Sequence, residues 1–241
     1  MFKSKVSGLH SVRGHHIYSN LLNRNSIVID MGSHLGQFSH QVSNLFECQC
    51  FAIEALPSLY KKIQETSLVK KYNYAISAQS KPVEFIVSDN PEGNHVASFS
   101  SIENGKQHND EQKIQVEGIT FKDFLEKNYI DRIDLVKVDI EGAEIELFSS
   151  LDDKTIQNIG QISIEFHDFI FDCHKEVEQI KQRLESLGFV YVVFSYKTNG
   201  DVLFINTKKN KIPWLNWIYI KYVAKYFRGL IRIIKRKLAI F

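Results

Sequence analysis

Apolar positions along the chain repeat at alternating spacings. Ser26–Asp30 is a short apolar run that closes on an acid and reads as a buried strand. A glycine-containing turn, Met31–Gly36, follows it. Leu35, Phe38, Val42 and Leu45 then recur at helical spacing. Cys48–Glu54 is a second strand-like run, again ending in an acid. Pro57 suits the first turn of a helix marked by Leu59, Ile63 and Leu68. Tyr72–Ser77 reads as a third strand. Strand, helix, strand, helix, strand is the pattern of a parallel, doubly wound sheet.

The middle of the chain is less regular. Val83–Val87 and Ile114–Gly118 are strand-like, and between them Asp89–Asp110 is a polar loop. Long loops of this kind commonly cover binding clefts, so His95, Ser98, Ser100, Ser101 and His108 are candidate contacts. Thr120 followed by Asp123 marks a helix start. Asp134–Ile140 predicts an apolar central strand leading into Asp139 and Glu141-Gly142, with a helix through Ile145 and Phe148. Gln161–Phe166 predicts another strand, running into Glu165-Phe166-His167-Asp168. Val177, Ile180, Leu184 and Leu187 mark a helix stopped by Gly188. Phe189–Phe194 and Val202–Asn206 flank Asn199-Gly200, a strong hairpin signal. The expected fold class is α/β: a mostly parallel doubly wound sheet closed by a C-terminal antiparallel hairpin.

The 241 residues suffice for one such domain plus an appendage. The expected division is a domain at 1–207, with its core at 25–207, and a tail at 208–241. The tail carries ten basic residues and no acid, which leaves 20 basic against 28 acidic residues in the body. Lys221, Lys225, Arg228, Arg232 and Lys235 fall on one stripe of a helix. Trp214, Trp217, Ile218, Val223, Phe227, Leu230, Ile231 and Ile234 fill much of the rest. A basic amphipathic helix with tryptophans at its start predicts a peripheral contact with a membrane surface; its apolar face argues against nucleic acid. The start of the chain does not read as a signal peptide, and no run reaches the length of a membrane span. The expected location is cytoplasmic, at most peripheral on the membrane. Cys48, Cys50 and Cys173 show no zinc spacing and no disulfide framework, and read as packing residues. His15-His16 reads as polar surface.

Ligands of open α/β sheets sit beyond the carboxyl ends of the strands. Asp30, Glu54, Asp139 and Glu165 all close predicted strands. Together they predict a polar cleft along one rim of the sheet. Asp30, Gly32 and Gly36 do not match the G-x-G-x-x-G spacing of a phosphate-binding turn. An aspartate there would repel a pyrophosphate and accept a cation such as an amino acid's ammonium. Glu54 can accept the hydroxyls of a ribose, which nicotinamide dinucleotides and S-adenosylmethionine both carry.

The stretch from Val28 to Ser39, containing Asp30, Gly32 and Gly36, resembles motif I of the FkbM family of S-adenosylmethionine-dependent methyltransferases. Ile133–Glu144 resembles that family's most distinctive stretch, K-x-D-x-E-G-x-E, and the resemblance spans roughly residues 25 to 207. It implies a Rossmann-like class I methyltransferase fold, S-adenosylmethionine as donor, and a hydroxyl acceptor on a sugar or similar metabolite. It also implies that Asp30, Gly32 and Gly36 line the donor's methionyl end, that Glu54 holds the ribose, and that Asp139 and Glu141 border the reacting centre. Methyl transfer needs a hydroxyl oxygen about 3 Å from the methyl carbon and in line with the breaking bond. A base that removes the hydroxyl proton contributes about 10²–10⁴-fold. His167 is the expected base, with Asp139 or Glu165 orienting it. Asp139, Glu141, Glu165 and His167 are of ligand type, but their spacing specifies no metal, and none is expected. The alternatives are a nicotinamide-dependent oxidoreductase and a non-catalytic binding module.

Overall fold

The computed structural model describes residues 8–87, 95–96, 112–168, 170, 173–195 and 198–224. The first half contains β1 (Leu9–Val12), β2 (His15–Tyr18), β3 (Ile27–Met31), α1 (Gln37–Phe46), β4 (Gln49–Ile53), α2 (Pro57–Tyr60), β5 (Val69–Tyr72) and β6 (Ala75–Ile76). Next come β7 (Val83–Val87), β8 (His95–Val96), β9 (Gln112–Val116), β10 (Gly118–Ile119), α3 (Phe121–Lys127) and β11 (Ile133–Val138). The chain continues through α4 (Glu144–Ser150), α5 (Asp153–Gln157), β12 (Ile159–Ile164), α6 (His174–Ser186), β13 (Phe189–Val193), β14 (Val202–Asn206) and α7 (Trp214–Ile218).

Seven strands form the central sheet in the order β13-β14-β12-β11-β3-β4-β5. From β12 to β5 every neighbouring pair is parallel, while β14 runs antiparallel to both β12 and β13. Both faces are covered. Alternation sends Ile29, Met31, Val136, Val138, Ile162 and Ile164 into the larger core. The same alternation sends Val28 and Leu135 to the other face, where Phe38 and Val42 of α1 and Val12 and Ile17 of the β1–β2 hairpin pack. Because the period is two, Asp30, Lys137 and Ser163 lie on that second face too. Lys137 is the register partner of both Asp30 and Ser163.

Thr120 caps α3 as its sequence indicates, its hydroxyl accepting from Asp123 N at 3.0 Å. Three expectations are corrected. The third core strand is Val69–Tyr72, whereas Ala75–Ile76 pairs with β10 in a separate two-stranded sheet. The intervening Lys70 and Lys71 disguise the edge strand. The helix after Pro57 is a single turn, Pro57–Tyr60, without the continuation expected through Leu68. His15 and His16 are not surface residues: β1 and β2 pack on the domain, and both histidines are buried. His16 Nδ1 lies 2.5 Å from Asp201 Oδ2, and its ring stacks on Phe194. Gln161 fixes the hairpin by exchanging hydrogen bonds with Tyr18 N and Tyr18 O.

Cys48 and Cys50 are buried in the core. In the tail, α7 continues as a wider helical turn from Tyr219 to Ala224. Trp217 and Ile220 pack against Leu9, Tyr18 and Leu203. Trp214, Leu215, Ile218 and Tyr222 are exposed. The rest of the basic stripe, from Lys225 on, lies outside the described residues, as do Ser98, Ser100, Ser101 and His108 of the loop. Among the described residues, no helix is long and apolar enough to cross a membrane.

Candidate active site

Four of the parallel strands bring their carboxyl ends to one rim. Beyond β3 the chain turns through Gly32 and Gly36, both at positive φ, and enters α1. Gly32 is where a side chain cannot fit: an added Cβ would lie 1.7 Å from the carbonyl oxygen of Asp139. The turn therefore seats directly on the end of β11.

Lys137 sits under this junction, almost wholly buried. Its Nζ lies 3.3 Å from Asp30 Oδ1 and 3.3 Å from Asp139 Oδ2. It also donates to Met31 O at 3.2 Å and Gly32 O at 2.6 Å. Burial alone would depress its pKa, but the two aspartates outweigh it and hold the ammonium above its usual value. Asp30, without exposed surface, accepts in addition from Ser39 Oγ at 2.7 Å. The cation beside Asp30 in this structure is Lys137. Asp30 thus props the floor of the site and does not open into it.

Glu54, at the end of β4, accepts from His34 N at 2.7 Å and Leu56 N at 2.9 Å. Burial raises its pKa, with those two backbone donors pulling the other way. It braces the far side of the glycine turn.

On the side toward β12, Asp139 meets a second group. His15 Nε2 is 3.6 Å from Asp139 Oδ2, and His167 Nε2 is 3.9 Å from Oδ1. Burial works against the charge of Asp139, but Lys137, His15 and His167 hold its pKa well below the carboxylate range. His167 Nε2 also lies 3.2 Å from Glu141 Oε2, and its Nδ1 lies 3.0 Å from Glu144 Oε1. Glu144 is buried, and the same oxygen accepts from Ile140 N at 3.1 Å and Gly142 N at 3.2 Å. It pins the turn that places Glu141 at φ 50. Burial lowers the His167 pKa, but Glu144, Glu141 and Asp139 overcome it and push it up to about 9. Burial pushes Glu141 up to about 7 and also raises Glu165.

The structure thus gathers Asp139, Glu141, Glu165 and His167. The side chain hydrogen-bonded to His167 Nδ1 is Glu144, while Nε2 faces Glu141 and, at 3.9 Å, Asp139. Sequence reading gave Lys137, Glu144 and Arg13 no role and set His15 aside as polar surface. Lys137 and Glu144 are the first and last charged residues of the K-x-D-x-E-G-x-E stretch, and that was their available signal. Two sets of side chains, His15/Asp139/Glu165 and Asp139/Glu141/His167, bring ligand atoms within 4.8 Å of one another and are geometrically able to hold a metal ion.

A cavity of about 190 Å³ opens between the hairpin and the glycine turn, lined by Arg13, His15, Ser33, Gln37, Lys137 and Asp139 among others. Pockets that enclose a whole drug-sized ligand run to about 300–1,000 Å³, so this one takes one end of such a molecule.

A sheet of this order with acids on its carboxyl rim is the architecture of the class I methyltransferases. Residues 30–191 match the family model described as the Methyltransferase FkbM domain. The chain belongs to that family, and S-adenosylmethionine is its methyl donor. It is 23% identical over 187 residues to "Methyltransferase 1" of Beauveria bassiana (strain ARSEF 2860), covering 70% of this chain and 74% of that protein. It is 24% identical over 195 residues to "Methyltransferase sdnD" of Sordaria araneosa, covering 68% and 74%. Among solved structures it is similar to Methyltransferase FkbM from Methylobacillus flagellatus KT, with a TM-score of 0.48, 12% identity, and coverage of 78% of this chain and 46% of that one.

Proposed function

We propose that this methyltransferase modifies a hydroxyl on a sugar or a similarly polar acceptor, next to a membrane surface. The observation that carries the hydroxyl reading is the position of Asp139. It lines the donor-side cavity, and it also belongs to the cluster of His15, Glu141, Glu165 and His167, which can take up a proton.

The donor fits what is present. The rim offers Glu54 for ribose hydroxyls, an uncapped helix start at α1, and a buried hydroxyl, Ser33 Oγ, that lacks a hydrogen-bond partner. As the hydroxyl oxygen bonds to the methyl carbon, the carbon–sulfur bond breaks, its electron pair stays on sulfur, and the hydroxyl proton passes to the protein. His167 is cationic at neutral pH and in that state is a hydrogen-bond donor. The accepting base is therefore Glu141, held against His167 and poised near neutrality. Lys137 and His167 already supply positive charge to Asp139, so this route involves no metal.

Glu141 accepts a proton only when ionised. Its folded pKa of about 7 lies above the usual carboxylate value, so the base form is lost as pH falls through that point. kcat/KM is expected to rise through pH 7. Glu141→Gln is expected to remove this inflection and lower turnover by about 10²–10⁴-fold. An unchanged pH–rate profile in Glu141→Gln would place the base elsewhere.

The membrane reading rests on exposed Trp214, Leu215, Ile218 and Tyr222 beside exposed Lys221, followed in sequence by six basic residues and no acid. Apolar side chains flanked by positive charge suit an anionic lipid interface. Trp214→Ser with Leu215→Ser leaves the buried Ile220 in place and is expected to reduce co-sedimentation with anionic vesicles. Binding equal to the wild type would refute the contact.

The activity is tested by calorimetric titration with S-adenosylmethionine, S-adenosylhomocysteine and NAD. Methyl transfer to extracted cell-surface glycans and their lipid-linked precursors is then assayed. NAD binding without S-adenosylmethionine binding would remove the donor assignment. Donor binding with turnover only on non-hydroxyl acceptors would remove the hydroxyl reading.

A further inference from the structure

The β1–β2 hairpin lies before residue 30, where the family match begins, yet its tip forms one wall of the donor-side cavity. Arg13 occupies that tip with φ 51. Among the described residues no carboxylate forms an ion pair with its guanidinium. Opposite stands the start of α1, a ten-residue helix whose N-cap is Gly36. Gly36 offers no capping side chain, and the first turn holds no acid. The backbone N–H groups of Gln37 and Phe38 are therefore left for an outside acceptor, at the positive end of the helix dipole.

Ser33 supplies an independent sign. It is 4% exposed and lines the same cavity, yet its Oγ has no hydrogen-bond partner. Buried hydroxyls are nearly always paired, so one left open toward a cavity marks the place of a missing partner. A guanidinium, two free N–H groups and a hydroxyl are all donors. They demand an anion with at least two acceptor oxygens, and a carboxylate meets that demand.

We propose that Arg13, with Ser33 and the α1 N-terminus, clamps the carboxylate of the donor's methionyl group, so that the hairpin acts as a donor-specificity element. This deepens the donor assignment and rests on it. The hairpin then has two tasks on the same ligand side: Arg13 holds the carboxylate, and His15, three residues before the strand's end, braces Asp139.

The test compares two ligands, S-adenosylhomocysteine, which keeps the carboxylate, and 5′-methylthioadenosine, which lacks the whole amino-acid end. Arg13→Asn removes the charge while tolerating a positive φ; Ser33→Ala is the second variant. Calorimetry on the full chain is expected to show Arg13→Asn binding S-adenosylhomocysteine about 10- to 100-fold more weakly, the range of a lost charged hydrogen bond. Ser33→Ala should lose a smaller factor, and methylthioadenosine should bind all three proteins within about twofold on this account. If Arg13→Asn loses affinity for both ligands equally, or for neither, the clamp is overturned while the donor assignment stands. If wild-type protein binds neither ligand, the donor assignment itself fails and takes the clamp with it.

Discussion

Lys137→Met is expected to destabilise the protein by about 3–5 kcal/mol, the cost of breaking a buried ion pair on one side only. Lys137 is 3% exposed and Asp30 is 0% exposed, so water cannot replace the lost ammonium. The substitution leaves Asp30 with the Ser39 hydroxyl as its remaining side-chain donor, and it frees Met31 O and Gly32 O from their shared donor. Urea unfolding of the variant gives the number. The double variant Asp30→Asn with Lys137→Met should recover part of the loss, because it removes the uncompensated charge rather than adding a contact. A single variant within about 1 kcal/mol of wild type would mean that this pair does not hold the floor of the site.

Gly32→Ala should be comparably severe and should act on binding as well. At φ +70 an alanine is strained by about 1–2 kcal/mol. The new Cβ would fall 1.7 Å from the Asp139 carbonyl oxygen, which is backbone immediately beyond β11, tied to Met31 O through its own N–H, and cannot swing away. Separating β3 from β11 to relieve the clash adds about 1–3 kcal/mol. It also shifts the turn that carries Ser33 and the start of α1. We expect a lower unfolding midpoint together with loss of S-adenosylhomocysteine binding. Gly36→Ala is the control: its Cβ would meet Ile63 Cγ2 at 2.8 Å, a side chain that can yield. Equal effects at the two glycines would show that conformational strain, and not the close approach of Gly32 to β11, sets the cost.

The two substitutions probe one construction from opposite sides. Lys137 gathers Asp30, Asp139 and the carbonyls of the turn from below, while Gly32 lets the turn lie against β11 from above. Neither role belongs to a residue expected to touch acceptor. Both decide whether Asp139 faces the cavity with its carboxylate ionised.

Much of the fold was legible because strand and helix periods are local. The run Val28-Ile29-Asp30, the helical spacing of Phe38, Val42 and Leu45, and Asn199-Gly200 each report on neighbours a few residues away. The sheet they predict, mostly parallel and closed by an antiparallel hairpin, is the one observed. The errors came where local signal is weak. Lys70 and Lys71 hid an edge strand that needs burial on one side only. His15 and His16 looked solvent-exposed because their partners, Asp139 and Asp201, are more than a hundred residues distant. The same distance hid the Arg13 wall, since a short hairpin carries no signature of where it docks. The surroundings of His167 were hidden for the same tertiary reason: three carboxylates, Glu144, Glu141 and Asp139, converge on it and raise its pKa.

By itself the sequence determined the alternation of strands and helices, the acids at the strand ends, and the family, because each is written in spacing along the chain. Only the tertiary structure decided which of those acids face the cavity, which are tied to Lys137, and which neighbours raise the pKa values of His167 and Glu141. Charge state and accessibility depend on distances between groups far apart in sequence and on how much water remains around them, and neither quantity exists until the chain has folded.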